Sequence, residues 1–132
     1  MREFAYARPD SVAAAAAAFA AGGEAAFIAG GHTLLPAMKS RLRQPDTIID
    51  LAAIPGLTGV TRQGDVLWIG ALTTHAAVAT DATVAAAIPG LAALALLIGD
   101  PQARNRGTLG GVLANNDPSA DYPAALDRKS VV

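Results

Sequence analysis

Two glycine pairs, Gly30-Gly31 and Gly110-Gly111, are the residues whose placement best suits chemistry. The first follows the apolar run Ala25 to Ala29 and precedes Thr33 and then Leu34, Leu35, Met38 and Leu42 at helical spacing. A glycine turn between a strand and a helix exposes backbone N–H groups that have no intrahelical partner, and the helix dipole adds partial positive charge there. Such a turn suits an anion. A Cβ would hold phosphate oxygens away from the amides, and Thr33 offers a hydroxyl as a further donor. The second pair follows Gly99 to Gly107, read as a polar loop carrying Arg104 and Arg106, and precedes the apolar Val112-Leu113-Ala114. It can bring more amides to the same extended anion. Taken alone, each pair also has a purely structural reading, as a strand-to-helix turn or as a bulge or close backbone crossing. Neither belongs to a dinucleotide fingerprint or a P-loop, because the glycine spacing and the Gly-Lys-Ser/Thr ending are missing.

The remaining reactive residues carry less. Cysteine is absent, which excludes disulfides, cysteine-ligated iron-sulfur clusters and thiol nucleophiles in this chain. His32 and His75 are the only histidines, so no metal site is expected. His32 reads as a capping or packing residue, His75 as a surface residue at a helix start, and Trp68 as part of the core. Arg104 and Arg106 either steer phosphate or solvate their loop. No residue is assigned a catalytic role.

Elements must position these groups. Ser11 precedes an alanine run that reads as a capped helix, with Val12, Ala16 and Phe19 on one face, ended by Gly22-Gly23. The strand Ala25 to Ala29, the glycine turn, a helix closed by Pro45 and the strand Thr47 to Leu51 make a β-α-β-like lobe over residues 1–55. A second lobe, 56–132, begins at Pro55-Gly56. It has a hairpin of 57–62 and 66–69 around Gln63-Gly64-Asp65, and short helices capped by Thr73 and Asp81. Pro89-Gly90 breaks the chain before Leu91 to Ile98, Asn115 to Pro118 turns it, and a short helix starts near Asp121. Asp127 to Val132 is polar where a further buried strand is expected, so the chain reads as stopping mid-domain.

Composition bounds the class. Hydrophobic residues make up 52% and charged residues 16% of 132, a balance that predicts surface buried against a partner. Ten basic and eleven acidic side chains give a net charge of −1, which offers no field for a nucleic acid. The acidic, Pro-interrupted N-terminus does not read as a signal peptide, and the most apolar stretch, 84–98, is too short and broken for a membrane helix. The expectation is a soluble cytoplasmic protein.

Ala29-Gly30-Gly31-His32-Thr33-Leu34-Leu35-Pro36 and Thr108-Leu109-Gly110-Gly111 resemble the two flavin-binding signatures of the molybdenum hydroxylase medium subunits. That family includes the FAD subunits of aerobic carbon monoxide dehydrogenase and xanthine dehydrogenase. Supporting stretches are Ile49-Asp50-Leu51, 69–74, 100–107 and 116–121, so the resemblance spans nearly the whole chain. It implies an α+β, PCMH-type FAD-binding fold with two lobes, the diphosphate between them, and a C-terminal subdomain missing from this chain. It also implies an oxidoreductase component that accepts electrons from a [2Fe-2S] small subunit, beside a molybdopterin large subunit, and passes them to an external acceptor. Ala29, Gly30, Gly31, His32, Thr33 and Leu34 would hold the diphosphate region. Thr108, Gly110, Gly111 and Val112 would take the second side, Asp121 the ribityl hydroxyls, and Ile98 would lie against the flavin. Val112 stands where the signature commonly has asparagine, which removes a side-chain hydrogen bond.

Charge-assisted hydrogen bonds contribute about 1.5–3 kcal/mol each, against about 4–15 kcal/mol for association, so ring burial must supply much of the affinity. Weak or absent FAD binding by the isolated chain follows as an expectation; a stoichiometrically yellow protein after gel filtration would contradict it. The rival readings are a truncated, flavin-free fragment that only docks onto partner subunits, and a binding domain for another nucleotide.

Overall fold

The computed structural model describes residues 2–123, which fall into two compact units, Met1–Gly56 and Leu57–Val132. The stretch 127–132, read above as a polar end, lies outside the described residues.

The first unit is a three-stranded parallel sheet in the order β1-β3-β2, with β1 Ala5–Ala7, β2 Ala25–Ile28 and β3 Thr47–Asp50. Helix α1, Val12–Ala21, links β1 to β2, and α2, Leu34–Lys39, links β2 to β3. Ser11 caps α1 by accepting from the Ala14 amide at 3.2 Å, and Gly23, at φ +63°, turns the chain beyond its end. Strand alternation puts Ala26, Ile28 and Ile48 on the face packed by Leu34 and Met38 of α2. Phe27 points to the other face and stacks on Phe19 of α1, centroids 4.7 Å apart.

On α1 Ala15 is the residue that buries, while Val12, Ala16 and Phe19 keep exposed surface, Phe19 with its ring against Phe27. Two readings are corrected here. Helix α2 ends at Lys39, well short of Pro45, because Arg41 adopts φ +61°; Leu42 is left 81% exposed. Strand β1, absent from the sequence reading, exists because β3 offers it a backbone edge. The Tyr6 hydroxyl also donates to the Asp50 carboxylate, an acceptor that raises the Tyr6 pKa.

In the second unit, β4, Val60–Gln63, and β5, Val66–Ile69, form an antiparallel hairpin around Gly64-Asp65. Five short helices follow: α3 His75–Thr80, α4 Ala82–Ala87, α5 Pro89–Leu97, α6 Pro101–Arg106 and α7 Leu109–Asn115; residues 121–123 are again helical. The core gathers Val78, Val84, Leu91, Ala95, Leu109 and Tyr122, with Leu67 and Ile69 packed against it. That packing turns Trp68, the opposite phase of β5, outward at 62% exposure, so it is not a core residue. Thr74, rather than Thr73, caps α3. Thr73 is buried, and its hydroxyl accepts from the Gly59 amide at 3.0 Å and donates to the Gly59 carbonyl at 3.1 Å. Among the described residues, no helix is long and apolar enough to cross a membrane.

Candidate functional site

The segment after β2 has the geometry of an anion cradle. Gly31 takes φ +79°, a conformation side chains resist, and an added Cβ would sit 2.9 Å from the Leu35 side chain. Its carbonyl accepts from the Leu35 amide at 3.0 Å, and the Thr33 carbonyl from the Ala37 amide at 3.2 Å, which starts α2. Thr33 occupies the cap position in an αR conformation and makes no side-chain cap bond, so its hydroxyl is not spent on the helix. Among the described residues, none accepts from the backbone N–H groups of Gly30, Gly31, His32, Thr33 or Leu34. Five consecutive donors without protein acceptors fit a polyanionic group such as a diphosphate. His32 and Thr33 are exposed, so His32 neither caps nor packs; Ala29, Gly30 and Gly31 are half-buried and Leu34 is buried beneath them.

The second glycine pair is built differently. Gly110-Gly111 is not a turn: both residues lie in the first turn of α7, and every amide there is committed. Leu109 donates to the Thr73 carbonyl at 3.0 Å, Gly110 to the Ala71 carbonyl at 2.8 Å, and Gly111 to the Thr108 hydroxyl oxygen at 3.1 Å. A Cβ on Gly110 would fall 2.7 Å from both the Cβ and the carbonyl oxygen of Ala71. Glycine is required at this position for close approach to the 71–73 stretch. Val112 is half-buried against the core, and Thr108 is buried.

The arginine stretch before this pair is a helix, not a loop. Asp100 caps α6 by accepting from the Ala103 amide at 2.8 Å, with Pro101 in its first turn. Arg104 turns back to donate to the carbonyls of Ile98 and Gly99, at 3.3 and 3.0 Å, closing the end of α5. Ile98 is half-buried against the core, whereas Arg106 and Asp121 are exposed. His75, read as a surface residue, is 3% exposed; its Nδ1 lies 3.2 Å from the Tyr122 hydroxyl. Burial pushes the Tyr122 pKa up to about 12. The pairing spans 47 positions, and no local signal in the sequence announces it.

A cleft of about 440 Å³ in the second unit is lined by Arg62, Asp65, Val66, Leu67 and residues 86–88, none of them a predicted site residue. Among the described residues, no group of three or more His, Asp or Glu converges as a metal site would need.

Comparison with known proteins bears directly on the glycine segments. A family described as the FAD binding domain in molybdopterin dehydrogenase matches residues 2–127. The chain is 45% identical over 122 residues to the carbon monoxide dehydrogenase medium chain of Hydrogenophaga pseudoflava, covering 92% of this chain and 42% of that one. It is 42% identical over 121 residues to the nicotine 6-hydroxylase medium subunit of Paenarthrobacter nicotinovorans, covering 92% and 43%. In structure it is similar to quinoline 2-oxidoreductase from Pseudomonas putida 86, with a TM-score of 0.89 at 36% identity, covering 92% of this chain and 43% of that one. The chain thus spans less than half the length of these relatives. With the family matched over residues 2–127 and both glycine segments inside that match, this chain belongs to the FAD-binding medium subunits of the molybdenum hydroxylases.

Proposed function

We propose that the chain is the FAD-holding part of an oxidoreductase medium subunit. It takes electrons from a [2Fe-2S] small subunit and passes them to an external acceptor, beside a molybdopterin large subunit in the cytoplasm. The observation that carries this reading is the run of five N–H groups, Gly30 to Leu34, without acceptors among the described residues in a chain of this family. FAD, when bound, supplies the reversible electron transfer, and no side chain here needs to act as an acid or base.

Ala29 to Leu34 hold the diphosphate region through backbone amides, and the free Thr33 hydroxyl adds a donor. In the second unit the first-turn amides of α7 are already taken and Gly110 packs against Ala71, so of this pair Gly111 is the one whose backbone a cofactor can approach, with Gly110 seating the helix start beside it. The Thr108 oxygen accepts from Gly111, which leaves its O–H to donate; Val112 and Ile98 contribute apolar surface and Asp121 a carboxylate for hydroxyl groups.

A thermal-shift panel of FAD, FMN, NAD and ATP tests the assignment. FAD alone should raise the melting temperature, by an amount that grows with its concentration, and Gly31→Ala should abolish the shift. Equal shifts from all four nucleotides, or none from FAD at millimolar concentration, would overturn it. The second reading, a flavin-free docking module, is favoured by the exposed apolar side chains Leu42, Leu97 and Trp68, at 81%, 78% and 62%. The same panel separates the two readings.

A further inference from the structure

His75 is the first residue of α3, and it touches Gly107 and Tyr122, which adjoin the second-unit residues Thr108 and Asp121 assigned to the cofactor. Its amide donates to the Gly107 carbonyl at 3.0 Å, and its neighbours extend that seam: Thr74 bridges Thr108, and the Thr73 carbonyl accepts from Leu109. Its ring contacts the Tyr122 ring at a 5.2 Å centroid distance and shares the 3.2 Å hydrogen bond through Nδ1. Tyr122 is the one buried side chain in residues 113–123; everything else there is exposed or half-buried. Asp121 immediately precedes it, so the place where Tyr122 is anchored fixes where the Asp121 carboxylate stands.

We propose that His75 is a positioning residue: its imidazole, seated between Gly107 and Tyr122, anchors Tyr122 and with it Asp121, while its backbone amide joins the seam beside Thr108–Val112, so that the seating of this ring sets the second unit's cofactor contacts. The proposal rests on the FAD reading above. It gives a buried polar pair a task that core packing alone does not require, since phenylalanine and leucine would fill the same volume without a hydrogen bond to satisfy.

The test compares the 132-residue chain with Tyr122→Phe, His75→Leu and His75→Asn; the Asn amide can reach the place of the imidazole Nδ1. Amide hydrogen exchange is read over 108–123, with 25–50 as internal control, and FAD affinity by flavin fluorescence quenching. Tyr122→Phe and His75→Leu should speed exchange over 108–123 about tenfold, leave 25–50 unchanged and weaken FAD about tenfold, the scale of one buried hydrogen bond. His75→Asn should recover most of both. Unchanged exchange in Tyr122→Phe, or an Asn variant no better than Leu, would overturn the proposal. So would faster exchange with undiminished FAD affinity, which would make the pair a core anchor only. If His75→Leu does not fold, Tyr122→Phe decides. If the wild-type chain takes no FAD, the FAD reading fails while the exchange result still decides whether His75 holds these stretches.

Discussion

Replacing Gly110 by alanine sets two opposing effects against each other. Gly110 is the second residue of α7, and alanine in a helix is worth up to about 1 kcal/mol more than glycine. Against that gain, the new Cβ would sit 2.7 Å from the Ala71 Cβ and carbonyl oxygen, so the helix start must retreat. Retreat stretches the Gly110–Ala71 and Leu109–Thr73 hydrogen bonds, at about 0.5–1.5 kcal/mol each, and any residual overlap costs about 1–3 kcal/mol. The net is a destabilisation of about 1–5 kcal/mol. Gly90 provides a matched control: it too is the second residue of its helix, α5, and a Cβ there meets nothing within 4 Å. Gly90→Ala should therefore stabilise by about 0.5–1 kcal/mol. Urea unfolding followed by Trp68, the single tryptophan and a reporter of the second unit, measures both. Two variants shifting in the same direction, or Gly110→Ala as stable as wild type, would refute the close-approach account.

Alkaline pH supplies a further prediction. The Tyr122 phenol titrates at about 12 when folded and near 10 when unfolded, so the native state holds the extra proton. Stability is full below about pH 10 and falls by about 2–3 kcal/mol as pH rises toward 12; Tyr122→Phe should flatten that decline in pH-dependent melts. Thr73→Val removes the hydroxyl from both backbone groups of Gly59, whose carbonyl keeps the Gly70 amide, and should cost about 1–2 kcal/mol in urea unfolding. Ile49→Ala, at a fully buried position in the central strand of the first unit, should cost about 2–5 kcal/mol. Trp68→Thr should change stability by less than about 0.5 kcal/mol, which circular dichroism melts will show.

Local signals carried most of the elements. Ser11 and Asp81 are caps whose side chains reach amides two or three residues on, and Gly64 with Asp65 makes a two-residue hairpin loop, so each is legible from a short window. Asp100-Pro101 is legible by the same logic, an N-cap followed by proline in the first turn, whereas the charges of Arg104 and Arg106 by themselves point to a loop. What the sequence hides depends on distant partners. Strand β1 needs β3 some forty residues later, the burial of His75 needs Tyr122, and the outward turn of Trp68 depends on which phase of β5 meets the core. Of the candidate site, the strand, turn and helix around Gly30-Gly31 could be read directly. The helical setting of Gly110-Gly111 could not, because the acceptors of the Leu109 and Gly110 amides belong to residues 71–73.

That difference has a consequence for transplantation. The first cradle is assembled from residues 28–38 alone, so moving that stretch onto another strand-helix unit carries its donors with it. The α7 start cannot travel so lightly. Its Leu109 and Gly110 amides find acceptors only after 71–73 has docked across more than thirty residues of intervening chain, which also makes it a late-forming feature of folding. A graft of Thr108 to Val112 without Ala71 to Thr73 would keep the Gly111 and Val112 bonds to Thr108 but arrive with the Leu109 and Gly110 N–H groups unclaimed, a pair of open donors that the native chain does not leave there.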